Sequence, residues 1–522
     1  MKRTINIFET VFFFLFILIA FYAITTSVYK QPFALLALGV VLCVGVFFLR
    51  KPIKLPSPED KLWIRMYAGV WILTFIMLLV MAFSLEVKYS WDWGKVVKTA
   101  ANYALNNKNP DTRYFARYPN NQFITSFLIC VFQIAHFFNP DATLDTMKSV
   151  SFICSCIFLQ IAVTFIYLTA LTLWDRRKAF FIGVITALYT PLFLYAQFAY
   201  TDTFSLPFSA AVFYFFAKLY KTKKTKTKYI CSILIGLFAA IGSKFKIMVM
   251  ISLVAALIGM FFNKREKFLK RLIYAGISVI STIAIMISIS IPSSLIFNYG
   301  DKIKDKYEFP PVHWVMMSMN YSGGYIRNDV KYTSSFETYN ERVEKDTEVL
   351  TERIHNYGFC GLINHIFGTK LIRTWCNPSL GGDDYVSRKS LGQNKFLTDL
   401  FTKRGSLYMY FNIYMYVFHI LLILGCVFSA VVMFKIKQCN PIILVGQLSL
   451  IGITAFLLIW ECNSRYLFTS IPQFLIVATY GWNMLVKGIK ARIVTKNNNK
   501  EDISADSGKC DNCEQQTDCL KT

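Results

Sequence analysis

Four short stretches of this 522-residue chain put ionisable side chains where apolar runs end. Asp92 and Lys95 stand in YSWDWGK, Asp202 in AYTDTFSLP, Lys244 and Lys246 in IGSKFKIM, and Glu461 and Arg465 in WECNSRYLFTSIP. Charges beside lipid are costly unless they are paired or in use. Cations at that depth suit a phosphate or pyrophosphate, which an arginine holds in bidentate fashion. A carboxylate in low-dielectric surroundings beside them can act as general base toward a hydroxyl. The combination implies an enzyme acting on a lipid-linked phosphate at one surface of a membrane.

Each residue also has a plainer use. Asp92 lies between two tryptophans of the kind that mark a membrane interface. Asp202 precedes a helical pattern, as an N-cap does. Lys244 and Lys246 can snorkel to the headgroups, and Glu461 and Arg465, four apart, can pair with each other. His313, in VHWVMM, is one of five dispersed histidines, and a lone histidine on an aromatic-rich segment is more often packed than a ligand. Asp383 and Asp384, in GGDDY, read as a solvated turn. The tail stretch CDNCEQQTDC (510–519) offers three cysteines where a zinc site usually needs four ligands.

The elements that must position these groups are membrane spans. Uncharged apolar runs near 20 residues recur along the chain, long enough for a bilayer core of roughly 30 Å. The start, MKRTINIF, lacks a small-residue cleavage site and runs straight into the next span, so it reads as an uncleaved first helix. The net charge of +25 is gathered in short loops rather than spread over a nucleic-acid-binding face. WDRRK (174–178), KLYKTKKTKTK (218–228), NKREKFLKR (263–271), KIK (435–437) and KGIKAR (487–492) all fall on the cytoplasmic side if the apolar run 123–138 does not cross. Several cysteines lie inside spans, where they behave as small hydrophobes, and no disulfide framework shows.

The expected architecture is an all-α polytopic membrane protein of about 12 transmembrane helices plus external interfacial helices. An external mixed domain is inserted before the last three spans. Residues 1–62 hold two N-terminal spans and a cytoplasmic loop, and 63–297 a transmembrane core. That core includes a first external loop, 85–122, and a non-spanning helix, 123–138. Residues 298–407 form the extracellular insertion, 408–487 the last spans, and 488–522 a disordered cytoplasmic tail. Within the first loop, WGKVVKTAANYAL puts Val96, Val97, Ala100, Ala101 and Ala104 on one helical face, as in a helix lying in the interface.

The order of these motifs resembles the GT-C superfamily of polyprenyl-phosphate-sugar-dependent glycosyltransferases, in the branch of protein O-mannosyltransferases and lipid A aminoarabinose transferases. The resemblance covers about residues 63–487. It rests on the acidic first loop (Asp92), a "YP" element at Tyr118–Pro119 in RYFARYPNNQFITSFL, and Asp202 in YTDTF. A lysine in a tight external turn (Lys244 or Lys246) and a late "RY…P" element at Arg465, Tyr466 and Pro472 complete the order. PPVHWVMMSMNYSGGY (310–325) is similar to a segment of Gram-positive members. Two extra spans precede the acidic loop, which carries a lone Asp where many relatives have an adjacent acidic pair.

The resemblance implies a polyprenyl phosphate carrying one sugar as donor, its phosphate near Lys244, Lys246, Arg465 and Tyr466. Asp92 would deprotonate an acceptor hydroxyl, and a single displacement would invert the anomeric configuration. Asp202, Tyr118, His313, Trp314, Tyr325, Trp375 and Tyr385 fall on the acceptor or sugar side. The acceptor would be a glycan, teichoic acid or protein outside a bacterial plasma membrane, with both termini cytoplasmic. No cofactor is implied, and a divalent metal is left open. Two rivals remain at this level. One is a transporter or flippase of lipid-linked sugars, whose charges should line a path through both leaflets. The other is a polymerase or ligase using a lipid pyrophosphate.

Overall fold

The helices of this chain turn greasy side chains outward as well as inward. Helix Leu62–Ser84 buries Trp63, Tyr67, Leu78 and Met81 while leaving Ile72, Leu73 and Ile76 exposed. Such a surface belongs in lipid, where each backbone N–H and C=O must be satisfied within its own helix. The structure is a computed structural model describing residues 2–50, 55–289, 291–436 and 440–510. Among the described residues it is helical, with one isolated bridge between Val87 and Ser390 and no strand.

Among the described residues, eight helices are long and apolar enough to cross a membrane: Asn6–Lys30, Leu62–Ser84, Pro119–Phe138, Leu144–Leu173, Thr225–Phe245, Phe268–Ser288, Tyr408–Val431 and Pro441–Ile459. The other expected spans are shorter or interrupted. Phe33–Leu49 and Val249–Phe261 are apolar but short. Within the transmembrane core, one segment is broken into Arg176–Ala187 and Thr190–Leu194, and Thr201–Lys221 carries Pro207 inside. The last helix, Ile471–Cys510, continues through residues whose composition reads as disordered. Residues 511–519 of the cysteine-bearing tail lie outside the described residues.

Neighbouring contacts fix where the acidic loop stands. The Gln160 side-chain amide donates to the Trp71 carbonyl (2.8 Å), and Trp71 Nε1 to Thr164 Oγ1 (2.9 Å). Farther along the same pair of antiparallel helices, Lys148 Nζ reaches the Val87 carbonyl (2.9 Å) and pairs with Glu86. The chain therefore enters and leaves segment 85–143 at one end of the bundle, although Pro119–Phe138 has the length and composition of a span. At the opposite end, Arg177 N–H meets the Pro58 carbonyl, Lys228 pairs with Glu266, and Arg265 lies over Tyr220. The basic loops gather there.

The broken elements make room for a recess. Helix Thr201–Lys221 begins, and helix Thr225–Phe245 ends, well inside the bundle. Ser155, twelfth in the helix Leu144–Leu173, hydrogen-bonds the Phe198 carbonyl at 3.4 Å, placing that floor about 16 Å below the helix's start. Stacked phenylalanines (Phe158, Phe204, Phe208 and Phe245) seal it from below.

Residues 298–407 depart from the expected external mixed domain in two ways. They are helical rather than mixed, with Asp301–Tyr307, Pro311–Ser318, Arg327–Thr333 and Tyr339–Asn364 leading the series. Their second half also sinks back into the bundle. After a kink at Gly358 (φ 58°), the helix exposes Phe359, Ile363 and Phe367 at four-residue spacing. It then widens into a π-helical turn, His365–Lys370, and ends at Trp375 against Phe16 and Phe474.

Candidate functional site

The recess floor is an ion cluster. Asp202 is the second residue of its helix, not the N-cap, which is Tyr200. Its carboxylate is 1% exposed and pairs with Lys246 Nζ through Oδ1. Its Oδ2 stands 3.8 Å from Arg465 Nε, and both atoms are buried without a hydrogen-bond partner. Asp202 is therefore the counter-charge of two cations rather than an open sugar ligand. Burial pushes the Lys246 ammonium down, and the Asp202 carboxylate opposes that shift. Lys246 is the lysine of the SKFK turn that meets Asp202, with its ammonium over the Tyr466 ring at 4.7 Å. Lys244, two residues earlier, closes the last turn of helix Thr225–Phe245 and is half-buried.

Arg465 stands within a ring of aromatics. Its guanidinium carbon lies 5.3 Å from the Trp91 ring, 5.7 Å from Tyr200, 5.8 Å from Tyr385 and 5.3 Å from Tyr466. Such faces attract the cation while leaving the N–H edge free to hydrogen-bond. Glu461 does not pair with Arg465. It accepts from the Tyr466 hydroxyl (2.8 Å), and burial pushes its carboxyl above the ordinary range.

Asp92 joins this cluster from above. It is the second residue of helix Trp91–Asn106, half-buried, and accepts from the Tyr114 hydroxyl at 2.7 Å. Asn121 Nδ2 donates to the same hydroxyl (2.9 Å), and Tyr200 OH donates to Asn121 Oδ1 (3.0 Å). The relay links Asp92 to the residue two before Asp202. Burial and the Asp92 charge push the Tyr118 phenol up to about 12, so it remains a neutral donor at physiological pH.

The entry to Asp92 is clamped. Gln197 spans the chain, donating to the Leu85 carbonyl (2.6 Å) and accepting from Val87 N–H (3.0 Å). Lys88 N–H and the Glu86 carbonyl bond to Lys389 and Leu391. Between these holds, Trp91 is forced to φ 40°, a region bulky L-residues avoid at a cost of about 1–3 kcal/mol. Such strain concentrates where a side chain must be aimed. Here it lays the indole on Arg465 and sets Asp92 beside it.

The remaining candidates divide. The Tyr118 ring lies 6.2 Å from that of Trp314, and the phenol of half-exposed Tyr325 is pushed up by burial and then by the Asp92 charge. His313 is fully buried behind Trp314, with Nδ1 2.7 Å from Thr333 Oγ1, which also donates to Asp346. It is a packed residue of the insertion. Trp375 is core as well: 1% exposed, bonded to Thr454 (3.2 Å), its carbonyl bonded to His419. Asp383 is no solvated turn but a buried acceptor for Ser379 and Tyr408. Tyr114, Asn121 and Tyr200 were missed from sequence, because nothing in a single tyrosine or asparagine signals a relay. Their places beside the YP element and Asp202 are the one hint. Among the described residues, no three His, Cys, Asp or Glu side chains are grouped to hold a metal.

The model of a family described as conserved hypothetical integral membrane protein matches residues 1–486. No curated protein matches the sequence. Among solved structures, the chain is similar to the oligosaccharyltransferase AglB of Archaeoglobus fulgidus in complex with an inhibitory peptide and a dolichol-phosphate, with TM-score 0.45 and 11% identity over 83% of this chain and 52% of that one. A crystal structure of the Archaeoglobus fulgidus oligosaccharyltransferase with zinc and sulfate gives TM-score 0.44 and 13% identity over 81% and 51%. The chain thus spans about half the length of these structures' chains.

Proposed function

We propose that this chain, which belongs to the family of conserved hypothetical integral membrane proteins, is an inverting glycosyltransferase. It moves a sugar from a polyprenyl phosphate to a hydroxyl acceptor at the membrane surface. The observation that carries the reading is the convergence of Asp92 and the Asp202–Lys246–Arg465 cluster on one recess, with Trp91 touching Arg465. Arg465, whose Nε faces Asp202, takes the lipid phosphate with the other N–H groups of its guanidinium, and Lys246 adds positive potential where negative charge grows as the phosphate departs. Asp202 keeps both cations charged and in place.

Asp92 is the base. It accepts the proton of an incoming hydroxyl, whose oxygen attacks the anomeric carbon as the C–O bond to phosphate breaks. The proton stays on Asp92 until solvent removes it, and the lipid phosphate leaves as an anion. Tyr114 holds the carboxylate through one oxygen, leaving the other for the acceptor. The resemblance to the GT-C superfamily agrees with this assignment and supplies the donor class.

Purified protein given a defined polyprenyl-phosphate sugar and an acceptor glycan is the test. Asp92→Asn is expected to bind donor as wild type does and to transfer about 10²–10⁴-fold more slowly. Transfer at the wild-type rate would remove Asp92 from the chemistry. Failure to consume any lipid-linked sugar would end the enzyme reading.

A further inference from the structure

A cavity of about 590 Å³ has in its wall Tyr385, whose ring meets Trp91 of Asp92's helix at 4.7 Å. That size is ordinary for a small-molecule site. Three cations from three separate elements line it: Lys30 at the end of helix Lys2–Lys30, Arg373 in Leu371–Trp375, and Arg388 just beyond Gly382–Ser387. None of the three has an ion-pair partner among the described residues. The one carboxylate in the wall, Asp384, is paired with Lys403.

The cations are placed, not merely present. Arg373 Nε donates to the Cys462 carbonyl at 3.0 Å, and its guanidinium lies on Gly324, where a Cβ would come within 2.2 Å of Nε. Arg388 stacks over Tyr385 at 5.1 Å. The wall segment is bracketed by left-handed backbone at Leu380 (φ 52°) and Lys389 (φ 54°), strain of the kind already seen at Trp91.

We propose that this cavity binds a phosphate-bearing sugar. The three cations take the phosphate as charge-assisted donors, while Asn377, Asn463 and their hydroxyl-bearing neighbours suit sugar hydroxyls. A polyprenyl tail is unsuited, because Ile372 and Cys376 are the main apolar groups of the wall. Tyr385 divides the cavity from Arg465, so the bound sugar lies next to the recess. The site's role as acceptor site rests on the glycosyltransferase reading; the binding itself does not.

The experiment is calorimetric titration of the full chain in nanodiscs with glucose 6-phosphate, glucose and a short-chain polyprenyl phosphate. Glucose 6-phosphate is expected to bind saturably, more than tenfold tighter than glucose, and to weaken steeply with salt. Lys30→Ala combined with Arg388→Ala, both exposed and without an ion pair among the described residues, should weaken it at least tenfold. Equal binding by wild type and variant, or no saturable binding, would overturn the proposal. Displacement by polyprenyl phosphate would assign the cavity to the lipid headgroup and overturn it equally. The readout needs no sugar transfer, so an Asp92→Asn variant that still transferred sugar would defeat the transferase reading without touching this one.

Discussion

Lys370 shows how far the interior of this site departs from water. It is fully buried in the π-helical turn, donates to the Trp460 carbonyl at 3.1 Å, and burial depresses its ammonium to about 8. An unfolded chain keeps this proton up to its ordinary value of 10.5, whereas the folded chain releases it near 8. Between those values the unfolded state binds more protons, so stability rises with pH. Relative to Lys370→Met, the wild type should gain on the order of 3 kcal/mol between pH 7 and 10.5, read as the difference in apparent unfolding temperature in detergent. Parallel pH curves for the two proteins would mean that the amine is not desolvated. The site's cations are thus not alike: Lys370 is a structural tie, whereas Arg465 keeps an unpartnered N–H facing Asp202.

Element by element, the recess depends on helices packed closely enough to hold it. Helices Tyr408–Ile436 and Ile471–Cys510 touch backbone to backbone: a Cβ on Gly481 would sit 1.9 Å from the Gly425 carbonyl oxygen. Small residues let membrane helices approach in this way. The helix carrying Gly481 continues the 3-10 turn Ser464–Ser470 that presents Arg465 and Tyr466. Gly481→Leu should therefore push the pair apart, costing about 1–3 kcal/mol, with a reduced monodisperse fraction on size-exclusion chromatography. An unchanged profile with unchanged donor binding would show that the crossing does not position the site. The sequence revealed where these helices run, since their hydropathy is unambiguous. It did not reveal the sinking of 359–375, whose apolar stripe is interrupted by His365, Lys370 and Arg373. Each of the three reaches the carbonyl of a distant segment, and His365 also bonds the Tyr357 hydroxyl.

The whole molecule separates a basic end from the end that holds the candidate site. Asp92, Asp202, Lys246 and Arg465 meet near one, and the Lys- and Arg-rich loops collect at the other. The charge bias of short loops predicts that the basic end faces the cytoplasm. An epitope inserted after Lys108 should be reached by antibody on intact spheroplasts, and one inserted after Lys223 only after permeabilisation. The reverse pattern would invert the bundle and move the chemistry to the cytoplasmic face.

Composition and hydropathy by themselves determined that the chain is helical and membrane-embedded. Ionisable residues at span ends marked Asp92, Lys95, Asp202, Lys244, Lys246, Glu461 and Arg465, because charge near lipid stands out against an apolar background. Whether those groups meet, and what each one does there, was a tertiary matter. Only packing showed that Asp202 is spent on Lys246, that Glu461 answers to Tyr466 and not to Arg465, and that Trp375 and His313 are core. It also brought in Tyr114, Asn121 and Tyr200, whose hydrogen bonds join segments up to 79 residues apart. The physical reason is that hydropathy is a property of each residue and its neighbours in the chain. Pairing of charges and hydrogen bonds depends on distances that only the folded bundle sets.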